Sequence, residues 1–342
     1  MTREGVASTT GVVVIGRNEG ERLRRCLASV CGSGLPVIYV DSASTDHSLD
    51  IARSMGCDLV ELGSSRPLTA SRARNEGFDL LCRVHPTVQF IQFVDGDCIL
   101  REGWIEAAVA EMSTHSDLAI VCGRLHERHA DTSMYKRLAA MEWDQPIGDV
   151  KYTGGIFMVR RIAFEEAGGF NGQMICAADP ELCVRIRQHQ WRIFRADMTM
   201  ALHDAAMERM GQWWWRSVRC GHGYADGAAL HGRSPDRFYV RQVHSAVFWG
   251  LFLPMGIIVS AGVTLAWSSW AWIVSGTLLA GYPLLGCRVY RATRRQGRTV
   301  SDALLYAMAC VVGKLPVAIG ILRYGLYRLL KWQPQSVTHK DA

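Results

Sequence analysis

The sequence predicts an α/β fold, with a mixed sheet flanked by helices and a hydrophobic helical segment after it. Short apolar runs alternate with amphipathic stretches through the first half of the chain, which is typical of a parallel or mixed sheet. The stretch from Gln242 to Cys287 contains no Asp, Glu, Lys or Arg, although 20% of the 342 residues are charged. It can hold two transmembrane helices of ~20 residues each.

The individual strands and helices follow from the apolar spacing. Apolar runs, interrupted only by Gln89 and Gln92, predict buried strands at Val12–Ile15, Val37–Val40, Val88–Val94 and Ala119–Cys122. Apolar residues at helical spacing predict the intervening helices at Glu21–Val30, Ser48–Ser54 and Ala70–Leu81. In such sheets ligands bind beyond the carboxyl ends of the strands. Three polar segments occupy that position, at Arg17–Glu19, Asp41–Asp46 and Asp95–Asp97.

The third polar segment places two carboxylates around a glycine. Oxygen ligands of this kind bind hard cations such as Mg²⁺ or Mn²⁺, which often accompany substrate phosphates. Gly96 allows the backbone to approach a ligand closely. The alternative is a plain Asp-Gly turn after a strand.

The other two candidates at this edge each have a structural alternative. Asp41 can accept a hydrogen bond from a base or a ribose, whereas Ser44 and its neighbours are also good helix caps. Arg72 and Arg74 lie on different faces of a predicted helix, so at most one points at a ligand. Arginine suits diphosphate oxygens, and the alternative is a solvated helix surface.

Several sequence pieces in this order resemble the family 2 glycosyltransferases of the GT-A fold. The resemblance runs from Val12 to about Gly227, through VVVIGRNEG, VDSASTD, ARNEG, VDGD, YTGGIFMVRRIAFEEAGGF and AADPELCVRIRQ. It implies that Asp41 contacts the nucleobase and that Asp95 and Asp97 hold a divalent metal on the diphosphate of a nucleotide-sugar donor. The donor-binding residues that it implies are Arg17, Glu19, Asp41, Ser44, Arg74, Asp95 and Gly96.

The resemblance also implies a catalytic base and a third metal ligand. Asp179 matches the family's base, although Ala178 replaces the acid that usually precedes it. The alternative is an N-cap followed by Pro180 at the first helical position. His203 matches a histidine that completes the metal shell in related transferases. A lone histidine at a strand end is more often structural.

The acceptor side is predicted from glycines, an acid and aromatic residues. The residues that we assign to it are Gly154, Gly155, Glu181, Trp214 and Arg216. The run Gln212–Arg216 loosely resembles the Gln-x-x-Arg-Trp run of processive relatives, with the arginine at a different spacing. These tryptophans can stack on sugars or can form an aromatic belt at a membrane interface.

The C-terminal part is predicted to attach to a membrane. Val243–Trp267 and Ser269–Cys287 form a predicted transmembrane hairpin, and flanking arginines place both its ends in the cytoplasm by the positive-inside rule. Ala303–Leu322 carries Lys314 and Pro316 and is predicted to be interfacial or re-entrant, with spanning as the alternative. The predicted domains are 1–241 (halves 11–125 and 126–241), 242–287 and 288–342.

Charge and cysteine content restrict the partners and the compartment. The net charge is +6, and the basic residues beyond Arg288 flank apolar runs, which favours an anionic membrane face over nucleic acid. The eleven cysteines are scattered without a Cys-x-x-Cys pair, which favours a reducing cytosolic compartment. No apolar core precedes Gly11, so no signal peptide is predicted.

These features together predict an inverting transfer of a sugar to a membrane-held acceptor. The preferred acceptor is a polyprenyl-diphosphate-linked saccharide in envelope or exopolysaccharide synthesis. The catalytic domain is expected in the cytoplasm, at the inner membrane. The alternatives are a glycolipid headgroup transferase, a catalytically degenerate assembly subunit and a nucleotidyltransferase. The last would need a Gly-rich phosphate loop, for which Gly16–Gly20 is a poor match.

Overall fold

The computed structural model describes residues 3–266 and 271–331, which fall into two compact units, Met1–Ala206 and Met207–Ala342. Trp267 and Ser269, at the facing ends of the two predicted hairpin helices, lie outside the described residues, as does the end of the predicted segment 288–342. The predicted domain limits at 241 and 287 stay predictions. The first unit contains the sheet and the second is helical.

A single nine-stranded sheet forms the centre of the first unit. The strands are β1 Thr10–Gly16, β2 Val37–Asp41, β3 Asp58–Glu61, β4 Phe90–Asp95, β5 Cys98–Leu100, β6 Leu118–Glu127, β7 Gly148–Asp149, β8 Phe157–Arg160 and β9 Arg192–His203. Their order is β3-β2-β1-β4-β8-β6-β9-β5, with β7 beside β9. The first four strands of this order are parallel, and β8 and β5 run antiparallel to their neighbours. The sheet is therefore mixed, as predicted.

Eight helices belong to the described part of the first unit. They are α1 Arg3–Thr9, α2 Glu21–Val30, α3 Ser48–Ser54, α4 Ala70–Val84, α5 Trp104–Thr114, α6 Met134–Trp143, α7 Arg161–Glu166 and α8 Ala178–Gln188, with a 3-10 turn at Ala130–Thr132. The apolar face of α2 is buried through Leu23, Cys26, Leu27 and Val30, as its helical spacing requires. Thr69 caps α4 by accepting a hydrogen bond from the Arg72 backbone amide.

The strand register aligns the carboxyl ends of β1, β2 and β4. Gly16 of β1 pairs with Asp41 of β2, and Ile15 of β1 pairs with Asp95 of β4. The apolar residues Val12, Val13 and Val14 between them are fully buried, which fixes this register. Asp41 and Asp95 therefore stand on the same edge of the sheet, separated by one strand.

The second unit consists of helices. They are α9 Met210–His231, α10 Val240–Val247, α11 Leu253–Ala266, α12 Ala271–Arg295, α13 Val300–Val312 and α14 Lys314–Leu329, with a π-helical turn at Phe248–Phe252 between α10 and α11. In the described part of this unit, two helical stretches are long and apolar enough to cross a membrane, Val240–Val263 and Val300–Leu329.

These two stretches differ in part from the predicted hairpin. The first overlaps the predicted helix Val243–Trp267, whereas the second contains Ala303–Leu322, which the sequence favoured as interfacial. The second arm of the predicted hairpin falls in α12 and does not belong to either stretch. Few of the side chains in either stretch are buried, and Ile258 and Met308 are each 67% exposed. Apolar exposure of this extent suits contact with lipid.

Glycines let α9 and α14 pack with their backbones in contact. A Cβ atom on Gly221 of α9 would overlap the carbonyl oxygen of Val317, and one on Gly320 of α14 would overlap that of Val218. Small residues at helix crossings permit this close approach, which is common among membrane helices.

Candidate active site

The loop after β2 is closed around the carboxylate of Asp41. Ser44 donates to Asp41 from its backbone amide (2.7 Å) and from its hydroxyl (2.6 Å), and the Tyr39 hydroxyl donates at 3.0 Å. Asp41 is 1% exposed. The N-cap of α3 is His47, without a side-chain capping hydrogen bond, so Ser44 binds Asp41 and does not cap this helix. The contact of Asp41 with a nucleobase stays a prediction.

The loop after β1 is tied to the loop after β2. The Asn18 amide donates to the Ser44 hydroxyl at 2.9 Å, and the Thr45 amide donates to the Asn18 side chain at 2.8 Å. Asn18 has a positive φ of 55°, which asparagine tolerates better than most residues. These bonds hold the two polar segments side by side before any ligand binds.

Gly96, which follows β4, packs closely against Glu19, which follows β1. A Cβ atom on Gly96 would lie 3.1 Å from Cγ of Glu19 and 3.2 Å from the Ile15 carbonyl oxygen, so only glycine fits without displacement. Glu19 is buried and forms an ion pair with Arg22 at 3.1 Å. Among the described residues, the buried Nε of Arg17 finds no hydrogen-bond partner, so this nitrogen remains available to a ligand.

Arg74 links the aspartate at the end of β4 to the aspartate at the start of α8. One guanidinium nitrogen lies 2.7 Å from Oδ1 of Asp95 and the other lies 3.1 Å from Oδ1 of Asp179. The Arg74 side chain is 5% exposed, and its guanidinium lies 5.4 Å from the centre of the Phe170 ring. Arg72 points elsewhere and pairs with Glu76 at 3.0 Å. The predicted diphosphate arginine is therefore a buried bridge between two carboxylates.

The absence of a side chain at Gly155 leaves room for the guanidinium of Arg74. A Cβ atom at this position would overlap a guanidinium nitrogen of Arg74 and would lie 3.0 Å from Oδ2 of Asp95. The neighbouring Gly154 is exposed, and the nearest atom to its Cβ position belongs to Trp143, 3.9 Å away. Of the two predicted acceptor glycines, only Gly155 is packed against the carboxylate cluster.

Asp179 lies in the first turn of α8 and is not its N-cap. The cap is Ala177, which has a φ of 62°, and α8 begins at Ala178, so the capping alternative for Asp179 is wrong. The side chain of Asp179 is 22% exposed and is held by Arg74. This position leaves the carboxylate at the mouth of the cluster and close to the Asp95 carboxylate.

A second group of ligand atoms lies where β5 pairs with β9. Asp97, Cys98 and His203 each offer an atom within 4.8 Å of the others, and His203 Nε2 is 3.8 Å from Oδ1 of Asp97. Cys98 is opposite His203 in the strand register. Asp95 lies outside this group, since its Oδ1 is engaged by Arg74, and its place in a metal shell stays a prediction.

Glu127, at the end of β6, is a site residue that the sequence analysis missed. Its Oε2 accepts a hydrogen bond from Nδ1 of His203 at 2.7 Å, and its Oε1 accepts one from the Ala205 amide at 2.9 Å. The Glu127 side chain is fully buried. A carboxylate on one imidazole nitrogen directs the other toward a metal. The one sequence feature that could have indicated Glu127 as a site residue is its position at a strand end, 76 residues before His203.

The clustered charges shift the pKa values of Asp95 and His203 in the same direction. Desolvation raises the pKa of Asp95, and the carboxylates of Asp97 and Asp179 raise it further against the opposing effect of Arg74. Desolvation lowers the pKa of His203, but Asp97 and the hydrogen bond to Glu127 outweigh it and the net shift is upward. The site therefore concentrates negative charge, which a bound cation would offset.

The remaining predicted acceptor residues are not part of this cluster. Both carboxylate oxygens of Glu181 accept hydrogen bonds from Arg185, at 2.9 and 2.7 Å, so a contact of Glu181 with an acceptor is not favoured by its geometry. Trp214 and Arg216 belong to α9 in the second unit, and their acceptor role stays a prediction. In the same helix Trp213 is buried, and Trp215 stacks under Arg323 at 5.6 Å.

The chain is similar to known glycosyltransferases. Residues 11–172 match the family described as Glycosyl transferase family 2. A pre-mycofactocin glycosyltransferase of Mycobacterium tuberculosis is 27% identical over 269 residues, which cover 75% of this chain and 51% of that protein. The glycosyltransferase AglE of Haloferax volcanii is 26% identical over 259 residues, covering 71% and 81% respectively.

Among solved structures, the chain resembles a mannosyltransferase from Pyrobaculum calidifontis that was determined with GDP-Man and Mn²⁺. The TM-score is 0.55 at 18% identity, over 92% of this chain and 86% of that one. This likeness confirms the predicted α/β fold, and the family match confirms the predicted glycosyltransferase class. The chain spans about half the length of the mycofactocin relative that it matches.

Proposed function

We propose that the chain transfers a sugar from a nucleoside-diphosphate sugar to a membrane-held acceptor, with inversion at the anomeric carbon. The observation that carries this proposal is the buried bridge Asp95–Arg74–Asp179, with Asp97 and His203 beside it. It joins the acids at the strand edge, where a donor diphosphate would lie, to an acid on α8 that can serve the acceptor.

The donor would bind along the edge formed by β1, β2 and β4. The tied loops after β1 and β2 are preorganised, and the partnerless Nε of Arg17 can donate to a phosphate or a ribose oxygen. The mannosyltransferase that shares the fold binds GDP-Man, which supports this class of donor. Glu19, Asp41 and Ser44 shape these loops and are proposed to limit the position of the nucleoside.

A divalent cation, Mg²⁺ or Mn²⁺, suits the second group of ligand atoms. Asp97 offers a carboxylate oxygen, and Glu127 holds Nδ1 of His203 so that Nε2 is the ligand nitrogen. Such a cation, when bound, stabilises the negative charge that develops on the departing nucleoside diphosphate. Asp95 and Gly96 would lie against the diphosphate on the other side.

Asp179 is the proposed general base. Its Oδ1 is fixed by Arg74, so Oδ2 is the oxygen that we assign to accept the proton of the acceptor hydroxyl. The hydroxyl then attacks the anomeric carbon from the side opposite the leaving group, which inverts the configuration. Arg74 acts here by orientation, because it holds the base at a fixed distance from Asp95.

The acceptor is proposed to be held at a membrane, in first place as a polyprenyl-diphosphate-linked saccharide. Two apolar helical stretches in the same chain support this proposal. Arginines in the last part of α12 and just beyond it, together with Arg233 and Arg237 before α10, favour the cytoplasmic face of an inner membrane by the positive-inside rule. The catalytic part would correspond to the predicted domain 1–241.

The test is release of nucleoside diphosphate by the detergent-purified full chain. UDP-, GDP- and dTDP-sugars would be offered with Mn²⁺, with and without a lipid extract. We expect release from one donor, lost with chelator and reduced at least about 10³-fold in Asp179→Asn. Full pathway output in cells that carry Asp97→Asn or Asp179→Asn would contradict the proposal and would favour an assembly subunit without catalysis.

A further inference from the structure

Two cysteines that are far apart in the sequence meet in the first unit. Cys31 follows α2 directly as its C-cap, and Cys57 lies between α3 and β3. Their sulfur atoms are 3.3 Å apart. Both residues are partly exposed, so small reagents in solution can reach them.

The separation of the two sulfurs is close to that needed for a covalent link. A disulfide has a sulfur–sulfur distance of about 2.05 Å, so an approach of about 1 Å would suffice. The two sulfur atoms already face each other. Backbone hydrogen bonds hold both segments in place: the Cys31 amide donates to the Leu27 carbonyl at 2.7 Å, and the Cys57 amide donates to the Ala52 carbonyl at 3.5 Å.

The two thiols differ in pKa. The hydrogen bond from the Cys57 thiol lowers the pKa of Cys31 to about 7, whereas the same bond raises the pKa of Cys57. A thiol with a pKa near neutrality is the more reactive nucleophile, because the thiolate is the attacking species. The neighbour in hydrogen-bond contact is then the thiol that resolves the first product.

We propose that Cys31 and Cys57 form a reversible dithiol–disulfide site that is oxidised by low-molecular-weight disulfides. The Cys31 thiolate attacks one sulfur of the small disulfide, which breaks that bond and releases one small thiol. Cys57 loses its proton and attacks the Cys31 sulfur of the mixed disulfide, releasing the second small thiol. The protein loses two protons and two electrons, and the small disulfide is reduced to two thiols.

The link would fix α2 to α3 at both ends. At their beginnings, the Ser48 hydroxyl of α3 already accepts hydrogen bonds from the Glu19 and Gly20 amides before α2, each at 3.1 Å. The disulfide would join the chain beyond their ends. The two helices follow the polar loops after β1 and β2, so oxidation would restrict motion of both loops together. The proposed disulfide does not depend on the transferase activity.

The experiment oxidises the purified full chain with oxidised glutathione and counts free thiols after denaturation. We expect two thiols fewer than in the reduced chain, and a cross-linked peptide two hydrogens lighter than its two parts. Cys26 shares a tryptic peptide with Cys31, so fragment ions must assign the linked residue. Dithiothreitol should restore both thiols.

Single variants separate the pair from other cysteines. Cys57→Ser should retain glutathione on Cys31 as a mixed disulfide and form no cross-link, whereas Cys287→Ser, which removes an exposed cysteine of the second unit, should cross-link as the unchanged chain does. Oxidation should raise the midpoint of thermal unfolding of the unchanged chain and leave that of Cys57→Ser unaltered. A mixed disulfide that persists on Cys31 of the unchanged chain, or a cross-link between other cysteines, would overturn the proposal.

Discussion

At the scale of single residues, Arg74 shows how burial decides the role of a charged side chain. The sequence made it a candidate ligand for a diphosphate, and the helical spacing correctly predicted that Arg72 points in another direction. Its partners, however, lie 21 residues later and more than 100 residues later in the chain, at Asp95 and Asp179. No local pattern encodes such a pairing. A buried arginine between two acids is expected to orient them, because removing it would take an ion pair from each carboxylate.

Replacing Arg74 by lysine should uncouple the two aspartates. Lysine keeps the charge, but a single ammonium group cannot reproduce two guanidinium contacts of 2.7 and 3.1 Å. We expect kcat to fall about 10²-fold while KM for the donor changes little, since a misplaced base affects the transition state more than binding. Arg72→Lys on the same helix is the matched control. Equal losses in the two variants would show that Arg74 has no special role.

Glu127 is predicted to set the affinity for the divalent cation through His203. Glu127→Gln preserves the size of the side chain but removes the negative charge next to Nδ1. We expect Mn²⁺ to bind about 10-fold more weakly, as measured by the paramagnetic resonance of free Mn²⁺. Glu111→Gln removes a comparable carboxylate from the His115 pair at the surface and should bind Mn²⁺ normally. Unchanged affinity in Glu127→Gln would exclude its role in orienting His203.

At the scale of elements, burial distinguishes the parallel strands that could be recognised from the sequence from the one that could not. β1, β2 and β4 are buried along nearly their whole length, and each appears as a mainly apolar run. β3 was not predicted because it lies at the sheet edge, where its first and last residues, Asp58 and Glu61, are exposed. The predicted helices α2 and α3 have the observed limits, and α4 extends three residues beyond its predicted end.

The crossing of α9 and α14 provides a prediction at this scale. In Gly320→Ala the new methyl group would overlap the Val218 carbonyl, which belongs to the backbone and cannot rotate away. We expect the second unit to lose about 1–3 kcal/mol of stability, measured by thermal unfolding in detergent. Gly325→Ala, on the same helix, has no atom within 4 Å of the new methyl group among the described residues. A Gly320→Ala chain as stable as Gly325→Ala would show that the helices do not touch at this point.

At the scale of the whole molecule, the order of motifs predicted more than any single motif. The three polar segments were placed on one edge because strands and helices alternate, and the register of β1 with β2 and β4 confirms this placement. The choice between spanning and interfacial helices could not be made from the sequence. Lys314 and Pro316 argued against a span, whereas in the structure Ala303–Leu322 falls within a helical stretch, Val300–Leu329, that is long and apolar enough to cross a membrane.

The exposed apolar helices predict how the full chain will behave in cell fractions. Phe252, Leu284 and Leu329 are 65%, 70% and 83% exposed, and burying such side chains in lipid is favoured by about 25 cal/mol for each Å² of apolar surface. We therefore expect the chain to sediment with membranes through washes in 1 M salt, which screens surface charges to ~3 Å, and to dissolve only with detergent. A chain bound through its arginines alone would instead be released by salt. Release by salt would contradict membrane insertion, and with it the proposal of a membrane-held acceptor would lose its main support.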